Sequence, residues 1–592
     1  MAIEQRIFRV RRNYNKWVAN QTLEDFALRF TGKAARRWSA GRVANTALGA
    51  ISFLALEAIG GAITLNYGFT NAVAAIAVVS AVIFLLGLPV SYYAARYGVD
   101  IDLLTRGAGF GYLGSTLTSL IYASFTFIFF ALEAAIMAMA LEVLFGLPLT
   151  LGYVVSSLVA IPLVTHGITY ISRFQLWTQP VWVVLQLAPF VFILFQDPES
   201  LSRWQGFDGA MGGDGAFNLV LFGAAATVMF SLVAQIGEQV DFLRFMPEPG
   251  PERKQRRRWW LAMLAGGPGW IIVGGLKALA GSFLAVLAFS HGLPHSQAQE
   301  PMHMYLVAFS HITAHPATLM ALAGIFVVLS QLKINVTNAY AGSIAWSNFF
   351  SRLTHSHPGR VVWLVFNVMI ALVLMEIGIY RAFESILGSY AMVAVAWIGA
   401  LVADLVINKP LGLSPKGIEF KRAYLYDINP VGFGAMVMAT LVGLVARSGF
   451  WGGDAESLAS FLALLTAFVA SPLIALLTDG RYYIARTPEP ATATRGRPCC
   501  ICEHRFDDED MAFCPAYNGP ICSLCCSLDA RCNDACKHHA RFQEQLMDWL
   551  GGILPRPILV QLRSRLGHFV GLLTLVTLVM AGLLTLVYTQ VA

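Results

Sequence analysis

Ser330-Gln331-Leu332-Lys333-Ile334-Asn335-Val336-Thr337-Asn338 interrupts an apolar run from about Leu319 to Trp346 with amides, hydroxyls and one full charge. A lysine at the centre of a membrane-inserted helix costs ~2.5 to 3.5 kcal/mol, so it has to face a cavity or a partner instead of lipid. On a helical period Gln331, Asn335 and Asn338 form one stripe, and Ser330, Lys333 and Thr337 form the adjacent one. Hydrogen-bonding glue between helices would use such amides and hydroxyls, but it rarely needs a lysine. The stretch therefore reads as the lining of a binding site.

The rest of the chain fits that solvent. Its 592 residues are 57% hydrophobic and 13% charged, with a mean hydropathy of +0.62, which excludes a soluble enzyme and predicts an all-α polytopic membrane protein. Segments of about 20 apolar residues, the length that spans a bilayer, lie near 46–69, 71–95, 112–145, 150–168, 174–195 and 216–238. A second set lies near 259–290, 317–347, 361–381, 386–406, 431–447 and 457–478, and one more near 566–588. Basic residues mark every second loop: the tail before the first span carries Arg6 to Arg42, and the loop after the sixth carries Arg244 and Arg253 to Arg258. The positive-inside rule then puts the amino terminus in the cytoplasm of a cell bounded by this inner membrane. The net charge of +6 is matched by anionic lipid headgroups, and nucleic acid is not expected as a partner.

Residues 1–45, basic and dotted with Phe8, Tyr14, Trp17 and Trp38, suit an amphipathic helix on the inner leaflet. In the first span Glu57 precedes Gly60-Gly61, the pattern of a ligand-facing helix break. A close helix crossing would use the glycines too, but would not explain the carboxylate. Gly109, Gly111 and Gly114 match a dinucleotide fingerprint in spacing only, because they join two membrane helices instead of a strand and a helix. The third span passes Phe125, Phe127, Phe129 and Phe130 to a second intramembrane carboxylate, Glu133. Lys277, Glu376 and Asp404 are further charges within spans; Lys277 is a candidate partner for a carboxylate, and none of the three is assigned to the site.

Three passages carry a resemblance. Arg106 with Phe110, Gly111 and Gly114, the run Asp241-Phe242-Leu243-Arg244-Phe245, and Gln331 to Asn338 followed by Trp346-Ser347-Asn348 are similar to segments of the nucleobase/cation symporters, the purine-cytosine and hydantoin permeases. The resemblance covers residues 40–480. It implies the LeuT-type fold: two five-helix inverted repeats with helices one and six broken at the midplane, and two further helices. It also implies a flat heterocyclic substrate, a purine, pyrimidine, hydantoin or allantoin, held by aromatic faces and paired donors and acceptors. The implied substrate-binding residues are Glu57, Phe129 in the stacking place, Glu133 in place of a glutamine, Ser231, Gln235, Gln331, Asn335 and Asn338. In sodium-coupled members, hydroxyls one and two residues before the first asparagine of helix eight help to bind the ion; here Lys333 and Ile334 stand there. An ammonium at that point fills a sodium site and predicts sodium-independent coupling, whether or not Lys333 also pairs with Glu57 or Glu133.

All nine cysteines fall between 499 and 536. Cys499-x2-Cys502, Cys514, Cys522-x2-Cys525, Cys532-x3-Cys536 and His538 supply ligands for two tetrahedral zinc sites, interleaved as in a RING-like cross-brace. An iron–sulfur cluster is the alternative, while a cytoplasmic position argues against disulfides. The chain thus divides into a basic tail (1–45), a twelve-helix transporter-like domain (46–480), a linker (481–498), a Cys-rich metal-binding module (499–545) and an additional span (550–592). Alternating-access transport is the leading function. The other is a transceptor that reports ligand occupancy to a signalling partner such as a histidine kinase. No nucleophile and base pair points to an enzyme.

Overall fold

The computed structural model describes residues 24–555 apart from 213–214, 489–495 and 530, together with scattered positions between 561 and 577. Most of the linker Arg486–Pro498 and of the thirteenth span near 566–588 lies outside the described residues.

Apolar runs with no buried strand pairing to join can satisfy their backbone only as helices, and the chain forms helices almost throughout. They are α1 (Ala40–Gly49), α2 (Ala55–Tyr97), α3 (Gly114–Phe145), α4 (Leu149–Thr165), α5 (Ile168–Gln196), α6 (Leu219–Phe230), α7 (Gln235–Leu243), α8 (Arg253–Gly266) and α9 (Trp270–Ser290). There follow α10 (Pro301–Ser310), α11 (Pro316–Thr354), α12 (Arg360–Glu376), α13 (Phe383–Ala403), α14 (Pro430–Arg447) and α15 (Ala459–Leu477). Among the described residues nine helical stretches are long and apolar enough to cross a membrane. The expected spans map onto them because α2 covers two, turning at Gly68, and because α4 and α12 are shorter, at 17 residues each. Gly68 has φ +81°, and a Cβ there would lie 2.4 Å from the Asp208 carbonyl, so only glycine fits the turn.

Two spans are broken at corresponding places in the two repeats. The first splits between α1 and α2 at residues 50–54, and the sixth passes through a 3-10 turn, Ser231–Ala234, between α6 and α7. The break thus precedes Glu57, and Gly60 and Gly61 lie within regular helix. Those glycines serve a close crossing instead: a Cβ on Gly60 would sit 1.9 Å from the Ala278 carbonyl of α9, and one on Gly61 would strike Met304 and Ala285. α2 packs along α9 and α6, while α3 packs along α11 and α12.

Among the described residues of the tail the first α-helix begins at Ala40, and residues 24–39 form a largely irregular segment under the bundle, with Phe26 edge-on to Phe245 and Phe30 stacked on Phe420; residues 1–23, half of the expected amphipathic tail, lie outside the described ones. Beyond α15 a hairpin of β1 (Met511–Cys514) and β2 (Gly519–Cys522) leads into α16 (Ser523–Leu528) and α17 (Phe542–Ile553). This module packs against the end of the bundle that carries Arg244, Arg352 and Arg422, the basic end.

Candidate functional site

The start of a helix leaves backbone N–H groups without intrahelical acceptors. At the first break these are met by side chains from two other helices: Gln331 Oε1 accepts from Leu54 N at 3.3 Å, and Glu133 Oε1 accepts from Ala55 N at 3.3 Å. Gln331 in turn donates to the Glu133 carbonyl at 3.2 Å, which ties α11 to α3. A carboxylate also suits the positive end of the α2 dipole. Two residues flagged by their polarity therefore meet at the break, and Ser52 joins them by donating to the Ser330 carbonyl at 3.0 Å.

Glu57 lies in the first turn of α2 but faces another way. Its Oε1 accepts from Lys277 Nζ of α9 at 2.7 Å and from the Tyr305 hydroxyl at 3.2 Å. Lys277 also reaches the Ser52 carbonyl and Gln186 Oε1, each at 3.3 Å, and lies over the Trp182 ring at 5.1 Å. Small residues make this meeting possible: Gly281, one turn after Lys277, is so close to Glu57 that a Cβ would sit 2.2 Å from the Glu57 Cα. A buried cation thus stands at the break of the first span, supplied by α9.

Lys333 occupies a different place from the one expected. Its ammonium donates to Gln175 Oε1 at 2.7 Å, to Thr178 Oγ1 at 3.0 Å and to the Gln175 carbonyl at 3.3 Å, all on α5, and it forms no ion pair with Glu57 or Glu133. Ser330 and Thr337, its stripe neighbours, also bond to α5, through Trp182 and Gln175. The whole stripe is rotated toward α5 and acts there as interhelical glue. The other stripe divides: Gln331 caps α2, while Asn335 and Asn338 are buried with no hydrogen-bond partner for any side-chain polar atom among the described residues.

Phe129 is buried in edge-on contact with Phe53 of the break, at 6.4 Å, and stacks obliquely on Phe125 at 4.5 Å. At the second break Ser231 donates to its own helix, to the Val228 carbonyl, and Gln235 Nε2 donates to Glu238 Oε2 at 2.7 Å. Glu238, missed in sequence although it follows Gln235 by one helical turn, lies within electrostatic reach of Glu133. Glu133 Oε2, Glu57 Oε2 and Glu238 Oε1 are buried without a partner among the described residues. Buried polar atoms of this kind are ordinarily met by a hydrogen-bond partner, ordered water included. By contrast, a groove of about 540 Å³ between α5 and α9 is walled by Phe190, Leu276 and Phe283 and opens through Val183 and Leu187, side chains suited to lipid tails.

At the basic end of the bundle buried polar and charged side chains pair across the helices. Arg244 pairs with Asp100 at 3.1 Å, Asp102 accepts from Arg106 at 2.9 Å and from Arg352, and Tyr122 donates to Asp241 at 2.8 Å. The sequence runs around Arg106 and Asp241 thus meet in buried pairs at this end.

In the module, Cys499, Cys502, Cys522 and Cys525 are buried with all four Sγ atoms within 4.8 Å of one another. Four thiolates about 2.3 Å from one tetrahedral ion lie about 3.8 Å apart, so the spacing fits a single metal. The Cys522 and Cys525 N–H groups donate to the sulfurs of Cys499 and Cys522, both at 3.4 Å, bonds that stabilise thiolate. Cys514, Cys532, Cys536 and His538 do not join a metal-sized cluster among the described residues. The first C-x2-C pair closes on the second across the intervening Cys514, as the first site of an interleaved arrangement would. All nine cysteines are free of disulfides.

No family model matches the sequence, and no curated protein matches it. Solved structures do match the fold. A closed conformation of Mhp1, a nucleobase-cation-symport-1 family transporter, with bromovinylhydantoin bound, is 16% identical with a TM-score of 0.56, over 77% of this chain and 96% of that one. Inward-facing Mhp1 is 16% identical with a TM-score of 0.57, over 80% and 96%. A substrate-bound outward-open Na+-coupled sialic acid symporter is 14% identical with a TM-score of 0.49, over 78% and 94%. The bundle therefore shares the LeuT-type fold of the two Mhp1 structures.

Proposed function

We propose that the chain is a secondary transporter that moves a small, planar, nucleobase-like heterocycle by alternating access, without sodium. The observation that supports this most is the set of buried, unpartnered polar atoms on Glu133, Glu238, Asn335 and Asn338 around two broken helices, with Phe129 beside them. Amides and carboxyls accept and donate in the pattern that a purine, pyrimidine or hydantoin ring edge offers, and the Phe129 ring offers a face. Glu133, Gln331, Asn335, Asn338 and Phe129 are the residues assigned to the ligand. Ser231, whose hydroxyl is engaged with its own helix, and Gln235, engaged with Glu238, contribute as walls of the second break.

Sodium independence rests on Lys277 instead of Lys333. An ammonium already donates to the Ser52 carbonyl and to Glu57 at the first break, where a coupling cation would otherwise find oxygen ligands. Glu57 is then a charge partner and not a substrate ligand. The basic end faces the cytoplasm of the inner membrane in this reading, with the Cys-rich module inside. That module holds zinc: one ion satisfies four clustered thiolates, whereas an iron–sulfur cluster sets its thiolates on different irons and so farther apart. A transceptor that signals to a partner protein is the second reading, favoured by one contact: His355, just past α11, donates to the Ser527 carbonyl of the module at 3.4 Å. Ligand binding and flux separate the two. Purified protein should bind a labelled hydantoin or nucleobase from a panel, and in liposomes should accumulate it; binding without flux would favour the sensor.

A further inference from the structure

We infer that the Cys-rich module is a bolt across the basic-end exit of the bundle, and that the metal between Cys499, Cys502, Cys522 and Cys525 holds the bolt together. The inference rests on the transporter and metal readings above. Any path from the two breaks to the basic end has to part the segment 24–39, α1 and α7 from the loop 98–113 and the end of α11, because the buried pair Arg244 with Asp100 and the hydrogen bond from Thr31 N to the Gly98 carbonyl, at 3.0 Å, cross that line. The module crosses the same line. On one side Asp507 accepts from Lys33 N at 2.8 Å, and Leu28 belongs to the apolar cluster of Cys499, Ile501, Cys502 and Met511. On the other the Ser527 carbonyl accepts from the Tyr112 hydroxyl at 3.3 Å and from His355.

The metal ligands divide along that line as well. Cys499 and Cys502 belong to the stretch that includes Asp507 and meets the amino-terminal segment, while Cys522 and Cys525 frame the start of α16, which carries Ser527. One ion therefore joins the half of the module fixed to one wall of the exit to the half fixed to the other. Outside the ion, the module has a two-stranded hairpin and a small apolar cluster, too little to hold its shape unaided, so its folding is coupled to the metal. The second half is anchored further by Arg422, which donates to Asp534 at 2.8 and 3.0 Å and to the carbonyls of Cys526 and Asp529 at 3.1 and 2.9 Å, and which lies over the Tyr112 ring at 5.3 Å. With the ion in place the exit is held shut; with the ion lost, or the anchor cut, the two walls part more readily.

Hydrogen–deuterium exchange of the full chain in lipid nanodiscs tests this without requiring a known substrate. The zinc-loaded protein, the protein after chelation, and a zinc-loaded Asp534→Asn variant are compared. Asparagine keeps the left-handed backbone at this position (φ +51°) while removing the charge that Arg422 grips. Peptides from 24–39 and 98–113 should exchange at least about tenfold faster after chelation and in Asp534→Asn, with α14 and α15 unchanged. Faster exchange confined to 499–540 in both cases would overturn the inference and leave the metal reading intact. A chain purified without metal would overturn the metal reading and the inference together.

Discussion

Replacing Lys277 by methionine should strip the first break of its built-in cation and leave Glu57 buried with only the Tyr305 hydroxyl on its Oε1. The pair is 2.7 Å long, with side chains 4% and 0% exposed, so water does little to screen it. Removing one member of such a pair typically costs about 3–5 kcal/mol, while replacing both by neutral groups of similar volume is close to neutral. Part of the cost can be relieved when the lone carboxylate takes up a proton, which puts the expected loss for Lys277→Met at about 3 kcal/mol. Glu57→Gln should cost a similar amount, and the double variant should recover at least about 2 kcal/mol relative to the sum of the two. Equilibrium unfolding in denaturing detergent measures all four proteins. Ligand uptake adds the functional half: the double variant should fold and bind ligand yet fail to transport. Additive single effects would mean that the two side chains do not interact, and full transport by the double variant would mean that the pair is only structural.

Glu133→Ala and Asn338→Ala should each weaken ligand binding by about ten- to a hundredfold, the worth of a buried hydrogen bond left unmade; calorimetry with the best heterocycle of a panel reads this. Lys333→Met should lower stability, by cutting α11 from Gln175 and Thr178, but leave ligand affinity within about twofold. Elemental analysis should find one zinc per chain, lost in Cys522→Ser and retained in Cys514→Ser and Cys532→Ser. Acid should loosen the amino-terminal segment. Burial alone would raise the Asp25 carboxyl, but the hydrogen bond and charge of His357 and the Arg360 N–H outweigh it and hold the group at about 2. A depressed folded value means that this contact contributes about 2 kcal/mol above the ordinary carboxylate range and that the contribution is lost as pH falls through about 4 toward 2. Asp25→Asn should remove that pH dependence from proteolytic release of residues 24–39.

The spans and the intramembrane polar residues were legible because apolar length and polarity are local signals, whereas the two breaks were implied by the resemblance alone and Gly60-Gly61 marked the first one too late. Glu133 and Gln331 stood out for the same reason, although their capping of α2 depends on how α3 and α11 meet the break. The rotation of a helix against its neighbours is not local. The resemblance sets Lys333 beside the break, but the orientation of α11 gives the Lys333 stripe to Gln175 and Thr178 of α5. Lys277 was visible as a charge, yet its partner depends on the Gly60 and Gly281 crossing, which brings α9 within reach of Glu57. In the module, spacing supplied the ligand types and an interleaved grouping, of which one site comes together among the described residues. Both C-x2-C pairs closed on one site because the β1–β2 hairpin between them returns the chain to its start.

The central claim is a ligand site at two broken helices whose cation is part of the chain. Its most direct test is uptake of a hydantoin and nucleobase panel into liposomes containing the purified protein, run in parallel in sodium and in choline buffer. The account predicts saturable accumulation of at least one planar heterocycle at equal rates in the two buffers, abolished by Lys277→Met. Uptake that requires sodium, or that survives Lys277→Met unchanged, would contradict it.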